Sequence, residues 1–191
     1  LGNNVGGGNK GRNKVVGAIA GAAVGGAIGY SMDKQAKEVA ESLNTNVNNN
    51  PTAALDPNQD LIVSNTDNYV KIMFRDDMMF ETNSANPTPS ASAKIAKINS
   101  VLQKYPNTLV QVVGHTDSRG SHDYNLNLSN QRATNVGNII FNSGAQNQIF
   151  SRGCSFDKPV ALNNSDANMG LNRRVEVYLY PNQQTVIDVC K

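Results

Sequence analysis

The stretch "TLVQVVGHTDSRGSHDYNLNLSNQRATNVGNIIFNSG", residues 108–144, joins a strand-like run to a helix-like run through a polar turn. Residues 108–114 are mostly apolar, which predicts a strand that ends at Gly114. Residues 124–144 place apolar side chains largely on one helical face and end at Gly144, a pattern typical of a helix with a glycine stop. The turn between them holds both histidines of the chain, so it is the first candidate for a functional site.

The segments around this stretch complete one domain. Further strands are predicted at about 61–64, 69–74, 149–154 and 173–180, and a further helix at about 90–104. The order β-α-β-α-β with short connections predicts an α+β domain whose helices pack on one face of a sheet. Because a β-α-β unit requires parallel neighbouring strands, the sheet is expected to be mixed.

Composition divides the chain into five parts. Residues 1–14 are rich in glycine and asparagine and are expected to be disordered. Residues 15–43 begin with small uncharged residues and continue as a charged helical segment. Residues 44–60 are polar, contain two prolines and are predicted to be a linker. The domain is expected over 61–181, followed by a C-terminal tail, 182–191.

Four glycines, Gly17, Gly21, Gly25 and Gly29, recur every four residues and would share one face of a helix. Such a glycine zipper lets another helix approach closely, which predicts self-association. The apolar run, 15–30, would reach only about 24 Å as a helix, short of a ~30 Å hydrocarbon core. A spanning helix is therefore marginal, and self-association or shallow membrane association is at least as plausible. A flexible Gly/Ala tether and a signal-peptide core remain open alternatives.

Charge and cysteine content exclude several classes of function. The chain has 17 basic and 15 acidic residues and a net charge of +2, too even a balance to indicate nucleic-acid binding. Its two cysteines, Cys154 and Cys190, cannot form a structural zinc framework. They are either free thiols or one disulfide that ties the C-terminal tail to the domain, and the second alternative requires an oxidising compartment.

The polar turn allows an enzymatic interpretation. His115, Asp117, His122 and Asp123 are residue types that bind a divalent metal, so a metal-dependent hydrolase is one hypothesis. Neither nearby serine lies in a nucleophile-elbow context. The simpler expectation is that both histidines face solvent without a required role.

A binding interpretation rests on Asp117 at the strand end and Arg132 on the following helix. A carboxylate and a guanidinium that face one pocket complement a zwitterion, because the first accepts from an ammonium and the second donates to a carboxylate. Asn125 could add a neutral hydrogen bond. The alternative is that Asp117 and Arg132 simply pair with each other on the surface.

The segment "VVGHTDSRGSHDYNLNLSNQRATNV" resembles the strand–turn–helix core of the OmpA-like C-terminal domain, a family that binds peptidoglycan. The shared pattern is G-x-T-D followed by N-x-x-L-S-x-x-R-A. The flanking segments "MMFETNSANPTPSA" and "SRGCSFDKPVALNNSDANMGLNRRVEVYL" are similar to the family's first strand-to-helix entry and its final loop and strand. The resemblance covers residues 61–181. The upstream glycine zipper with "GYSMDKQAKEV" resembles a subgroup of outer-membrane lipoproteins.

The resemblance implies non-covalent binding of the diaminopimelate in the stem peptide of Gram-negative peptidoglycan, with no catalysis and no cofactor. Asp117 would hold the ligand's ammonium and Arg132 its carboxylate. The remaining implied site residues are Asn125, the backbone near Thr116 and Leu126, and Arg173, which would contact the ligand or brace the pocket. The implied role is a periplasmic tether between outer membrane and cell wall. A wall anchor of a motor or secretion complex is the alternative within the same family.

Overall fold

Residues 24–191, the part of the chain that the computed structural model describes, contain five strands and six helices. The strands are β1 (Leu61–Asn65), β2 (Val70–Arg75), β3 (Leu109–His115), β4 (Ile149–Gly153) and β5 (Arg174–Tyr180). The helices are α1 (Val24–Ser42), α2 (Asp76–Met79), α3 (Pro89–Ala96), α4 (Asn99–Leu102), α5 (His122–Asn142) and α6 (Asp166–Asn172). Short 3₁₀ turns lie at Ala53–Leu55 and Gln183–Thr185.

The strands form one sheet in the order β1-β2-β5-β3-β4. β3 and β4 are parallel, joined through α5, and the other neighbours are antiparallel. The prediction of an α+β domain with a mixed sheet is therefore confirmed. In the register of the antiparallel pairs, Arg174 lies opposite both His115 and Arg75. The ends of β2 and β3 thus meet the start of β5 at one edge of the domain.

The main core lies between the sheet and the helices α1 to α5, which pack on one face as predicted. Alternate residues of β5, among them Val177, point into this core. Two glycines let α5 lie against the sheet. A Cβ at Gly114 would stand 2.3 Å from the Ser129 carbonyl oxygen, and one at Gly153 would stand 2.2 Å from the Ser129 hydroxyl. This close approach holds the first half of α5 against the end of β3.

The helix predicted at 90–104 is divided into α3 and α4. Ile98 and Val101 donate backbone hydrogen bonds to carbonyls three residues earlier, so the chain tightens between the two helices. Thr88 caps α3 by accepting from the Ala91 N–H, and Pro89 occupies the first turn. The helices α2 and α6 were not predicted, because four and seven residues are too few to display a helical period.

The segment 44–60 differs from the predicted linker because it is packed onto the sheet. The buried guanidinium of Arg75 donates to the carbonyls of Ala54 and Gln59, both at 3.1 Å. Ala53 is buried with Met73 of β2. The prolines and polar residues of the segment resemble a linker, but the guanidinium of Arg75 on β2 donates to three of its backbone carbonyls.

The helix α1 also belongs to the domain, although composition placed it outside. Its apolar stripe, which includes Met32, Val39 and Leu43, lies in the main core. Gly25 and Gly29 lie in α1, whereas residues 1–14, Gly17 and Gly21 are outside the described residues. Within 24–191 there is no helix whose length and apolar character would let it cross a membrane.

The C-terminal tail is fastened to the other face of the sheet. Cys154 and Cys190 form a disulfide, with their Cα atoms 5.2 Å apart. Val189 is buried beside Tyr178 and Tyr180 of β5. The tail therefore covers apolar surface that the helices leave open.

Candidate functional site

A cavity of about 530 Å³ opens where β3 ends and α5 begins. It is called the clamp cavity below, and it is lined by Asp76, Asp77, Thr82, Asn83, Thr116, Asp117, Arg119, Gly120, Tyr124, Asn125, Leu128, Arg132 and Arg173. The lining contains three aspartates and three arginines, so its formal charges balance. Such a cavity favours a ligand that carries both signs of charge and no net charge.

The turn after β3 presents the Asp117 carboxylate in a fixed orientation. The Thr116 N–H donates to the Ser155 carbonyl at 2.9 Å, so the chain after β3 stays hydrogen-bonded to the chain after β4. The Arg119 N–H then donates to Asp117 Oδ1 at 2.9 Å, closing a local side-chain turn. Gly120 follows with a φ of 84°, a conformation that favours glycine. Asp117 is 6% exposed, so its carboxylate is held at the bottom of the cavity.

Arg132 is fixed by the opposite wall. Its Nη1 pairs with Asp76 Oδ1, and its Nε donates to the Ser84 carbonyl at 2.9 Å. The guanidinium also lies over the Phe80 ring, 4.5 Å from the centroid. Burial lowers the pKa of Arg132 and Asp76 opposes this, but a guanidinium keeps its charge in a protein.

The charged side chains of the cavity alternate in sign. Arg173 Nη1 donates to Asp117 Oδ2 at 2.6 Å, and Arg173 Nε lies 4.0 Å from Asp76 Oδ2. The order is therefore Asp117, Arg173, Asp76, Arg132. The alternative that Asp117 and Arg132 pair with each other is wrong, because each contacts a different partner. Burial raises the pKa of Asp76, while Arg132 and Arg173 act in the opposite direction.

The structure brings most of the predicted site residues together. Thr116, Asn125 and Arg173 line the cavity with Asp117 and Arg132. Asn125 Nδ2 donates to the Arg119 carbonyl at 2.6 Å and the Ser121 carbonyl at 3.1 Å, so it fastens the turn to α5. The prediction for Leu126 needs correction.

Leu126 lies outside the residues that line the cavity, and Leu128 is the leucine that lines it. The Leu126 carbonyl accepts from the Ser129 hydroxyl at 3.1 Å. On a helix, positions 125 and 128 share a face whereas 126 is turned about 100° away. The helical period therefore explains which of the two leucine side chains lines the cavity.

Asp76 is one of the charged lining residues that sequence reasoning missed, together with Asp77 and Arg119. It follows β2 directly, and its N–H donates to the Arg173 carbonyl at 2.9 Å. This contact follows from the antiparallel pairing of β2 with β5, which sets Arg75 opposite Arg174. The sequence did carry a signal, since two aspartates follow a predicted strand in "RDDMM". That signal needs the strand pairing before it points to the site.

The two histidines lie apart and in different environments. His115, expected to face solvent, is only 3% exposed, and its Nε2 lies 3.1 Å from Glu176 Oε1 on the sheet face away from the main core. Burial lowers the pKa of His115 although Glu176 favours its charged form. His122 begins α5, is partly exposed and contacts Asp157 at 2.9 Å.

Glu176 forms the centre of a buried polar cluster on that face. It accepts from Arg174 Nε at 2.8 Å and from the Tyr178 hydroxyl at 3.1 Å. Burial by itself would raise the pKa of Glu176, but Arg174, His115 and Lys71 hold it well below its usual range. The protein therefore stabilises the negative charge of Glu176, the carboxylate that His115 contacts.

The metal-site hypothesis fails on geometry. Over residues 24–191 no three histidine, cysteine, aspartate or glutamate side chains are grouped so that they could hold a metal ion. His115 and His122 instead contact separate carboxylates, those of Glu176 and Asp157. The proposed set of His115, Asp117, His122 and Asp123 is not assembled into a ligand cluster.

The fold and the cavity correspond to a known class of domain. Residues 79–173 match the OmpA family, so this part of the chain is an OmpA-like domain, and the resemblance to that family is confirmed over these residues. The lipoprotein subgroup indicated by the glycine zipper stays a prediction. The chain is 37% identical over 103 residues to the probable lipoprotein YiaD of Escherichia coli, a match that covers 53% of this chain and 47% of that protein.

Two further similarities extend the comparison. The chain is 36% identical over 76 residues to the peptidoglycan-associated lipoprotein of Legionella pneumophila, covering 39% of this chain and 43% of that protein. It also resembles the solved structure of the cell wall anchor of the T6SS from Pseudomonas aeruginosa, with a TM-score of 0.58 and 28% identity over 64% of this chain and 88% of that one. The match spans less than half the length of each curated relative.

Proposed function

We propose that the clamp cavity binds peptidoglycan non-covalently by holding the diaminopimelate of its stem peptide. The observation that carries the proposal is a carboxylate and a guanidinium that line one cavity without neutralising each other, because Asp117 pairs with Arg173 and Arg132 with Asp76. In this assignment Asp117 accepts hydrogen bonds from the ligand's ammonium, and Arg132 donates to the ligand's carboxylate.

Both groups retain hydrogen-bonding capacity after their protein contacts are made. A carboxylate offers about four lone-pair sites, and Asp117 accepts from the Arg119 backbone and from Arg173. Arg132 engages Ser84 through Nε and Asp76 through Nη1, which leaves further N–H donors on its guanidinium. A zwitterion can therefore add its own contacts without displacing those that orient the site.

The comparisons support this assignment. One relative is named a peptidoglycan-associated lipoprotein, and the matched solved structure is named a cell wall anchor. We infer that the protein works in the periplasm of a Gram-negative cell and tethers the outer membrane, reached through its N-terminal segment, to the wall. The disulfide suits that oxidising compartment. Individual contacts can be weak, because many copies bind along one polymer.

A wall anchor of a secretion or motor complex is the second candidate, favoured by the 28% identity to the T6SS anchor. It would use the same clamp cavity and differ in its protein partners. The two candidates therefore share one prediction for ligand binding, and co-purification of partners would separate them. In this proposal the residues of the clamp cavity bind and orient the ligand and catalyse no reaction.

Cosedimentation with purified peptidoglycan sacculi tests the proposal. Asp117→Asn removes the negative charge with little change in shape, and Arg132→Lys keeps a cation for Asp76 but removes the planar fork. Each lost charge-assisted contact is worth about 1.5–3 kcal/mol, so retention should fall at least tenfold. Free meso-diaminopimelate should compete with the wild type.

The matched control is His122→Ala, which changes an exposed residue that the hydrolase hypothesis requires and the clamp does not. It should sediment like the wild type. Folding of every variant is checked by circular dichroism and thermal unfolding. Equal retention of the folded Asp117→Asn and Arg132→Lys variants would reject the clamp, and loss of retention in His122→Ala alone would favour the turn histidines instead.

A further inference from the structure

A second groove, of about 600 Å³, adjoins the clamp cavity and shares Asn83 with it. It is called the amide groove below. Besides Asn83 and Ala85, it is lined by Ser84, Asn86, Asn130, Gln131, Thr134 and Asn135. All of these residues are uncharged, in contrast to the six charged residues of the clamp cavity. The groove therefore offers hydrogen bonds without a net electrostatic preference.

The walls of the amide groove are held in place by the protein. Asn135 Nδ2 donates to the Ala85 carbonyl at 2.7 Å, and Arg132 Nε donates to the Ser84 carbonyl at 2.9 Å. Asn83 adopts a φ of 60°, a left-handed conformation that asparagine tolerates. The segment 83–86 is thus fastened to α5 by Arg132, which also lines the clamp cavity. A ligand would therefore meet a preformed surface.

The α5 wall of the groove is a row of amide and hydroxyl side chains. Gln131 and Thr134 are exposed, and they are three residues apart, so they share a helical face with Asn130 and Asn135. The Asn130 side-chain oxygen accepts from the Gly153 N–H at 2.6 Å, so the NH₂ group of Asn130 points away from Gly153. Amides and hydroxyls both donate and accept hydrogen bonds.

A neutral ligand with alternating donors and acceptors is the chemical complement of this row. A charged ligand would find no counter-charge there, and an apolar one would strip water from amides without replacing their hydrogen bonds. An acetamido sugar carries hydroxyls and one secondary amide and has no charge. It is also covalently joined to the stem peptide in peptidoglycan, so it would arrive together with the zwitterion.

We propose that the amide groove binds an N-acetylated hexosamine of the glycan strand while the clamp cavity holds the end of the attached stem peptide. This inference rests on the proposed function of the clamp cavity. Two adjoining cavities of this size have centres on the order of 10 Å apart, and a peptide of three extended residues spans about 10 Å. One disaccharide–peptide unit can therefore occupy both.

Calorimetric titration of the full chain with two matched ligands tests the inference. The first ligand is a disaccharide–tripeptide that ends in diaminopimelate, and the second is the same tripeptide without sugars. The variant is the double substitution Gln131→Ala and Thr134→Ala, which introduces good helix formers. It leaves intact the hydrogen bonds of Arg132 and Asn135 to the carbonyls of Ser84 and Ala85. The control is Asn138→Ala, an exposed amide one turn further along α5 and outside the groove.

Wild type should bind the disaccharide–tripeptide about tenfold more tightly than the bare tripeptide, because two added hydrogen bonds are worth roughly that factor. The double variant should lose this advantage and keep its affinity for the tripeptide, and Asn138→Ala should match the wild type. Equal affinity of the wild type for both ligands would overturn the sugar site. So would a variant that weakens both ligands alike, which would assign the groove to the peptide. Failure of the wild type to bind the tripeptide would instead reject the clamp.

Discussion

The buried ion pair of Asp76 and Arg132 predicts that two destabilising substitutions will partly cancel when they are combined. The two residues are 7% and 5% exposed, and Arg132 also lies over the Phe80 ring. Asp76→Ala would leave the guanidinium buried without its nearest counter-charge. Arg132→Ala would leave the Asp76 carboxylate with only Arg173, at 4.0 Å, among the cations it contacts in the described chain.

The expected magnitude follows from the burial of the pair. Removing one partner of a buried ion pair costs about 3–5 kcal/mol. The clamp cavity admits water on one side and Arg173 supplies a second positive charge, so the lower end applies, about 3 kcal/mol for each single substitution. The double variant retains neither charge and should also lose about 3 kcal/mol, rather than the sum of about 6 kcal/mol.

Denaturant unfolding of the four proteins measures these free energies in a double-mutant cycle. The matched control is Arg152→Ala, which breaks an exposed pair with Asp188 at 3.3 Å and should cost at most about 1 kcal/mol. The interaction energy of Asp76 with Arg132 should be near 3 kcal/mol. Additive losses in the double variant would refute the reasoning, since they would mean that neither charge depends on the other.

Three further predictions concern stability. Gly114→Ala would place its Cβ 2.3 Å from a backbone oxygen of α5 and should cost at least about 3 kcal/mol of the free energy of unfolding. Gly170→Ala, whose nearest contact would be a flexible side chain at 3.4 Å, should be neutral or stabilising. Equal thermal unfolding midpoints of the two variants would contradict this. Reduction of the disulfide, which spans 36 residues, should lower the free energy of unfolding by about 3–4 kcal/mol, and unchanged denaturation curves with and without reductant would contradict that value. Burial holds the pKa of His115 below its ordinary 6.5, so the free energy of unfolding should decrease as pH falls below that value, by up to about 1.4 kcal/mol per unit. His115→Gln should remove this slope and His122→Gln should not, as followed by unfolding at several pH values.

Local pattern predicted most of the secondary structure. The alternation of residues 174–180 predicted β5, and Gly144, which adopts a φ of 109°, marks the end of α5 as expected. Prediction from sequence pattern fails at α2 and α6, because both helices are shorter than two helical turns. It fails again at 44–60, where polar composition indicated a linker. The Arg75 contacts that hold this segment come from a strand that follows it in the chain.

By itself the sequence determined the class of fold and the two opposite charges of the clamp, because Asp117 and Arg132 lie on consecutive elements joined by one short turn. The tertiary structure decided how those charges are held. Arg132 contacts Asp76 and Asp117 contacts Arg173, and each pair is separated by 56 residues. Those partners meet because β2 and β3 both lie next to β5 in the sheet and α5, which carries Arg132, packs against β3. Spacing along the chain predicts which side chains lie close together on one helix or strand. Strand pairing decides which side chains that are distant in the sequence share a cavity.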